Sequence, residues 1–121
     1  MIKKILIVED EKIITNTIVA LLEKMGIEYF TANNGEDALE KFKTNKFDLI
    51  FTDIFMPKMD GFKLIEEIRK IDREIPIIVI SGYIDNETIR KILELGANKY
   101  IEKPFSLKEI KKIIEMYGEK K

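Results

Sequence analysis

Residues 4–26 read KILIVEDEKIITNTIVALLEKMG. Ile5-Leu6-Ile7-Val8 is a short continuous apolar run, the pattern of a strand buried on both faces. After it, Ile14, Ile18, Leu21, Leu22 and Met25 recur at helical spacing, and Gly26 closes that amphipathic helix at its C-terminal end. The same alternation continues outward along the chain. Residues 27–32 (IEYFTA) are rich in aromatic and β-branched types and read as a second strand. Asn34-Gly35-Glu36-Asp37 supplies a turn and a cap for a short helix through Ala38, Leu39 and Phe42. Residues 48–52 read as a third strand, with Leu64, Ile65, Ile68 and Ile71 marking a helix after Gly61. Residues 76–80 are a fourth strand, followed by a helix carrying Ile89, Ile92 and Leu93, with Gly96 past its end. Residues 99–102 are a fifth. Ser106-Leu107-Lys108-Glu109 is a capping-box pattern opening a last helix through Ile110, Ile113 and Ile114. Five strands alternating with five helices imply an α/β fold, a doubly wound parallel sheet covered on both faces with right-handed crossovers.

Composition narrows the chemistry. The chain has 121 residues, 45% hydrophobic and 36% charged, with a net charge of −1, which fits one folded domain and argues against disorder. No cysteine is present, which excludes disulfides and thiolate metal sites and fits a reducing compartment, the cytoplasm. No histidine is present either, so zinc–imidazole sites, Ser-His-Asp triads and histidine general bases are excluded within the chain. The balanced charge gives no basic excess for nucleic acid, and no apolar run approaches a membrane span. The run Ile5–Val8 is too short for a signal peptide.

Ligands of such sheets bind outside the carboxyl ends of the strands. There the sequence places Glu9 and Asp10 after the first strand, Asp53 after the third, Ser81 and Gly82 at the fourth, and Glu102-Lys103-Pro104 at the fifth. Singly, each has an ordinary explanation: an acid capping a helix, a turn serine, a solvated lysine. Together they are harder to dismiss. Asp53 follows an apolar strand and precedes Ile54-Phe55-Met56-Pro57, which has no helix-cap spacing. Clustered carboxylates repel, so one of them should titrate high unless a cation sits among them. Lys103 is one such cation, and Mg²⁺ with oxygen ligands and retained waters would suit the rest. A carboxylate beside Mg²⁺, a lysine and a hydroxyl meets the demands of phosphoryl transfer. Asp53 would be the nucleophile, with Lys103 and Ser81 facing the equatorial oxygens.

KKILIVEDE, FDLIFTDIFMPKMDGF, IPIIVISGY and KYIEKPFS, in this order and spacing, resemble the receiver domain of two-component response regulators. The resemblance runs from Lys3 to about Met116. It implies the flavodoxin-like (βα)5 fold with strand order 2-1-3-4-5. It further implies Asp53 as phosphoacceptor, with Asp10 and Asp53 as direct Mg²⁺ ligands, Glu9 acting mainly through water, and Phe55 lending its backbone carbonyl. Ser81 and Tyr100 match the switch pair. Lys103 matches the phosphate-binding lysine, and Lys103-Pro104 the family's cis peptide. Phe55 and Tyr83 stand where the family controls water's approach to the phosphoryl group, and their bulk implies slow autodephosphorylation. The implied donor is a sensor histidine kinase or histidine phosphotransfer protein. Ile13, Ile14 and Thr17 on the first helix would either dock its histidine-bearing helix hairpin or, in the case of Ile13, merely cover the core edge. The implied downstream protein target would meet the face formed by helix 4, strand 5 and helix 5. Direct binding of nucleic acid or membrane is not expected.

Other readings fit less well. A haloacid-dehalogenase-like phosphatase needs a second Asp where Phe55 stands. A flavodoxin-like FMN carrier needs a Ser/Thr/Gly-rich first loop, not Glu9-Asp10-Glu11. No P-loop motif occurs. A degenerate receiver serving only as an interaction module conflicts with a fully occupied acceptor site. The expectation is a single receiver domain over residues 1–121 without an output domain, either a stand-alone regulator or a receiver excised from a longer protein.

Overall fold

The computed structural model describes residues 1–82 and 84–119. Tyr83 therefore lies outside the described residues. The chain runs β1 (Lys4–Val8), α1 (Lys12–Met25), β2 (Glu28–Ala32), α2 (Gly35–Thr44), β3 (Leu49–Thr52), α3 (Gly61–Ile71), β4 (Ile77–Ser81), α4 (Asn86–Leu95), β5 (Lys99–Glu102) and α5 (Leu107–Glu119). The strands form one parallel sheet in the order β2-β1-β3-β4-β5. This is the doubly wound parallel sheet that the alternating pattern implies, with the flavodoxin-like strand order that the family resemblance implies.

Strand side chains alternate between the two faces, so a run that is apolar at every position builds two cores. Leu6, Val8, Ile50, Ile77 and Val79 face one core, closed by Ala38, Leu39 and Phe42 of α2, by Leu64, Ile65 and Ile68 of α3, and by Ile92 of α4. Ile5, Ile7, Leu49, Phe51, Ile78 and Ile80 face the other, closed by Ile18 and Leu22 of α1 and by Ile110, Ile113 and Ile114 of α5. Two residues read as helix-face apolar positions depart from this. Ile71, the last residue of α3, is 52% exposed, and Leu93 is 45% exposed. The buried stripe of α4 is narrow, with Ile92 its buried residue, and Leu93 sits about 100° further round the helix.

The caps predicted at Asn34 and Ser106 are present, and the structure adds two more at Asp60 and Asp85. Asn34, Asp60 and Asp85 each accept a hydrogen bond from the backbone N–H three residues on, at 2.8, 3.0 and 2.8 Å. Ser106 and Glu109 form the reciprocal capping box: Ser106 N–H donates to Glu109 Oε1 at 3.0 Å, and Glu109 N–H to Ser106 Oγ at 3.2 Å. Gly26 ends α1 in the left-handed conformation with φ 71°. At the start of α1, by contrast, Glu11 occupies the cap position and its side chain makes no cap bond.

Candidate functional site

The polar residues at the sheet's carboxyl edge are held by backbone bonds that prolong the strand ladder. Glu9 N–H donates to Ala32 O at 2.9 Å, Asp53 N–H to Val8 O at 2.9 Å, and Lys103 N–H to Ser81 O at 2.8 Å. Each residue thus emerges at a position set by its neighbouring strand. Glu9, Asp53 and Ser81 are buried, whereas Asp10 is exposed. The Lys103–Pro104 peptide is cis.

Asp53 is fixed on both sides. Its Oδ1 accepts the Ile54 N–H at 2.6 Å, and its carbonyl accepts the Thr52 hydroxyl at 2.8 Å. Its Oδ2 lies 2.9 Å from Lys103 Nζ. The loop beyond Asp53 folds back tightly, with Gly61 N–H donating to Ile54 O at 2.7 Å. A Cβ on Gly61 would stand 2.3 Å from the Asp53 carbonyl oxygen and 2.7 Å from Ile54 Cα, so only glycine permits this approach.

Lys103 sits among three carboxylates. Its Nζ is 3.0 Å from Glu9 Oε1, 3.0 Å from Glu11 Oε1 and 2.9 Å from Asp53 Oδ2. Burial opposes its charge, but the bonds to Asp53, Glu11 and Glu9 outweigh burial and push its pKa up. Glu9 is raised from 4.5 to about 7. Glu9 is thus raised even with a cation among the carboxylates, and burial rather than mutual repulsion is the leading cause. Burial of Glu9 contributes most, the charge of Asp53 adds less, and the Lys103 bond and the Glu11 N–H act in the opposite direction.

Oxygen atoms of Glu9, Asp10 and Asp53 lie within 4.8 Å of one another, close enough to ligate one ion. Hard carboxylate donors in this number, with one of the acids open to solvent, fit Mg²⁺ with retained waters. A cleft of about 500 Å³ opens over Asp53 and Lys103, lined also by Asp10, Glu11, Phe55, Ser81 and Thr88. Phe55 is 62% exposed and meets Phe62 edge-on at 6.2 Å.

The structure thus brings together Glu9, Asp10, Asp53, Ser81, Phe55 and Lys103. It leaves Tyr100 outside this cleft, 41% exposed, paired in register with Val79. On α1, Ile13 is 81% exposed, Ile14 is half-buried against the core, and exposed Thr17 donates its hydroxyl to Ile13 O at 2.7 Å. Three cleft residues escaped the sequence reading, Glu11, Asp85 and Thr88. Glu11 had a weak signal as the third acid of Glu9-Asp10-Glu11, but its partner is 92 residues away. Thr88 sits in the first turn of α4 with no local mark of a cleft position.

Residues 5–115 match the response regulator receiver domain family. The chain is 40% identical over 112 residues to the alkaline phosphatase synthesis transcriptional regulatory protein PhoP of Bacillus subtilis, covering 91% of this chain and 46% of that protein. It is 38% identical over 120 residues to the probable C4-dicarboxylate response regulator DctR of the same organism, covering 98% of this chain and 53% of that protein. The chain spans about half the length of these curated relatives. Among solved structures, a two-component response regulator from Clostridium difficile superposes with a TM-score of 0.91 at 30% identity, covering 95% of this chain and 94% of that one. A CheY-like receiver domain protein from Methanospirillum hungatei gives 0.88 at 30% identity, with both chains covered completely. No helix among the described residues is long and apolar enough to cross a membrane. With the fold, the acidic edge and these likenesses in agreement, the chain belongs to the response regulator receiver domain family, the phosphoacceptor module of two-component signalling.

Proposed function

We propose that the chain accepts a phosphoryl group on Asp53 from a phosphohistidine of a sensor kinase or phosphotransfer protein, in the cytoplasm. The observation that carries this reading is the contact of Lys103 Nζ with Asp53 Oδ2 at 2.9 Å beside a carboxylate set able to ligate one ion. An Asp53 oxygen attacks phosphorus as the bond from phosphorus to the donor imidazole nitrogen breaks. The imidazole leaves with that electron pair, and an acyl phosphate remains. The chain contains no histidine, so the donor imidazole lies outside it. Lys103, already drawn to Asp53, faces the phosphoryl oxygens, and the Ser81 hydroxyl in the same cleft donates to one of them. Glu9, Asp10 and Asp53, with the Phe55 carbonyl, would hold Mg²⁺, which supplies further neutralisation of phosphoryl charge.

Ser81 moving toward the phosphoryl group and Tyr100 turning inward from its exposed position would together change the face made by α4, β5 and α5. Exposed Leu93 and Tyr100 lie on that face and suit a protein target. Ile13, with Thr17 and the outer part of Ile14, suits the docking of a donor helix hairpin.

Intact-mass spectrometry after incubation with acetyl phosphate tests the acceptor chemistry. One Mg²⁺-dependent phosphoryl adduct is expected, absent from Asp53→Asn and from EDTA-treated protein. A folded wild type that gains no adduct from acetyl phosphate or from a phosphorylated histidine donor overturns the reading in favour of a phosphate-independent interaction module.

A further inference from the structure

We infer that Glu11 is a positioning residue for Lys103, restraining phosphoryl transfer by occupying the ammonium donor that faces the open cleft; this rests on the acceptor reading above. Glu11 stands at the N-cap of α1, where Ser, Thr, Asp or Asn ordinarily accepts a backbone N–H. Its side chain makes no such bond. It reaches instead to Lys103 Nζ at 3.0 Å, across 92 residues of sequence. The helix start therefore goes without a side-chain cap while the carboxylate serves the cleft.

Lys103 does not need this third partner to stay in place. Its ammonium donates to buried Asp53 Oδ2 at 2.9 Å and forms an ion pair with buried Glu9 Oε1 at 3.0 Å. Those partners come from the sheet edge and fix the ammonium from below. The Glu11 side chain is 64% exposed and accepts a second hydrogen bond from the ammonium on the solvent side. A phosphoryl group arriving at Asp53 enters through that cleft and needs a lysine donor for its oxygens. Glu11 must release the ammonium first, and its own negative charge stands at the mouth that an anionic phosphodonor must cross.

Side-chain replacement at Glu11 keeps the bond that holds Glu9, because Glu9 Oε2 accepts from the Glu11 backbone N–H at 3.1 Å. Two variants test the inference. Glu11→Gln removes the charge at constant size, and Glu11→Ser removes it while supplying a hydroxyl that can cap α1. The rate of phosphorylation by acetyl phosphate with Mg²⁺, read by intact mass at low ionic strength, should rise roughly two- to five-fold in both, the range of an exposed ion pair. The gain should shrink toward nothing near 1 M salt, where the Debye length is about 3 Å. Glu11→Ser should also melt at a higher temperature than Glu11→Gln, which separates the cap from the cleft effect.

Equal rates in wild type and both variants at low salt, slower rates in the variants, or a gain that persists unchanged in high salt would each overturn the role given to Glu11. Failure of the underlying reading shows separately, in the wild type, as no adduct or as an adduct that survives in Asp53→Asn.

Discussion

Lys103 and Asp53, fifty positions apart in sequence, meet at 2.9 Å across the carboxyl edge of the sheet. The contact exists because β3 and β5 flank β4 in one parallel sheet, and because both residues follow directly on their strands. Removing the lysine leaves buried Asp53 and Glu9 without a cation. Lys103→Met should destabilise the metal-free protein by about 1–3 kcal/mol in urea unfolding. It should slow phosphorylation by acetyl phosphate on the order of 100-fold, the usual loss for one electrostatic donor. Unchanged phosphorylation kinetics would show that Lys103 only balances charge.

Glu9 predicts a pH signature of the metal-free protein. Burial holds its carboxyl at about 7 when folded, against an ordinary 4.5. Between these values the folded chain keeps a proton that the unfolded chain has released. The stabilisation is complete below about 4.5 and lost as pH rises through about 7. Wild type in EDTA should therefore lose stability relative to Glu9→Gln across that window, by roughly 3 kcal/mol at most, with a level difference above it. Urea midpoints at several pH values measure this, and a flat difference throughout contradicts it.

Two glycines should respond very differently to alanine. Gly26 has φ 71°, but a methyl group there would meet nothing within 4 Å, so Gly26→Ala should cost only about 1 kcal/mol, from the left-handed backbone alone. At Gly61 the added carbon meets Asp53 and Ile54 backbone at 2.3 and 2.7 Å. Gly61→Ala should displace the acceptor loop, cost several times more in thermal unfolding, and slow phosphorylation of Asp53. Comparable melting temperatures for the two variants would show that the loop yields freely.

Phe55 lines the cleft, 62% exposed as a residue, with its ring braced edge-on by Phe62. We expect it to hinder water's approach to phosphorylated Asp53, so that the wild-type adduct persists well beyond seconds. Phe55→Asn should shorten its half-life several-fold, followed by intact mass after removal of the phosphodonor. A wild-type half-life of seconds, or one unmoved by the substitution, defeats this expectation.

Much of this molecule is legible one segment at a time. Ile5–Val8 reads as a buried strand because every position is apolar, the strand read over residues 48–52 forms over Leu49–Thr52 without charged Asp48, and Ser106 with Glu109 announces a helix start because that bond spans three residues. Glu9, Asp10, Asp53, Ser81 and Lys103 are recognisable because strand ends are where a doubly wound sheet exposes its ligands. Leu93 shows the limit of periodicity. It continues an apolar helical stripe, yet its burial depends on how wide a stripe the neighbouring layer covers.

The chain's local patterning determined the element order, the two-faced sheet and the set of polar residues at its edge, since strand pairing, capping and apolar spacing act over short distances. Only the tertiary structure decided that Glu11 reaches Lys103 rather than capping its own helix, that Gly61 must lack a side chain, and that burial more than repulsion lifts Glu9. Each of these depends on distances between residues that are remote in sequence or on how much solvent the assembled elements exclude, and neither quantity exists until the sheet has formed.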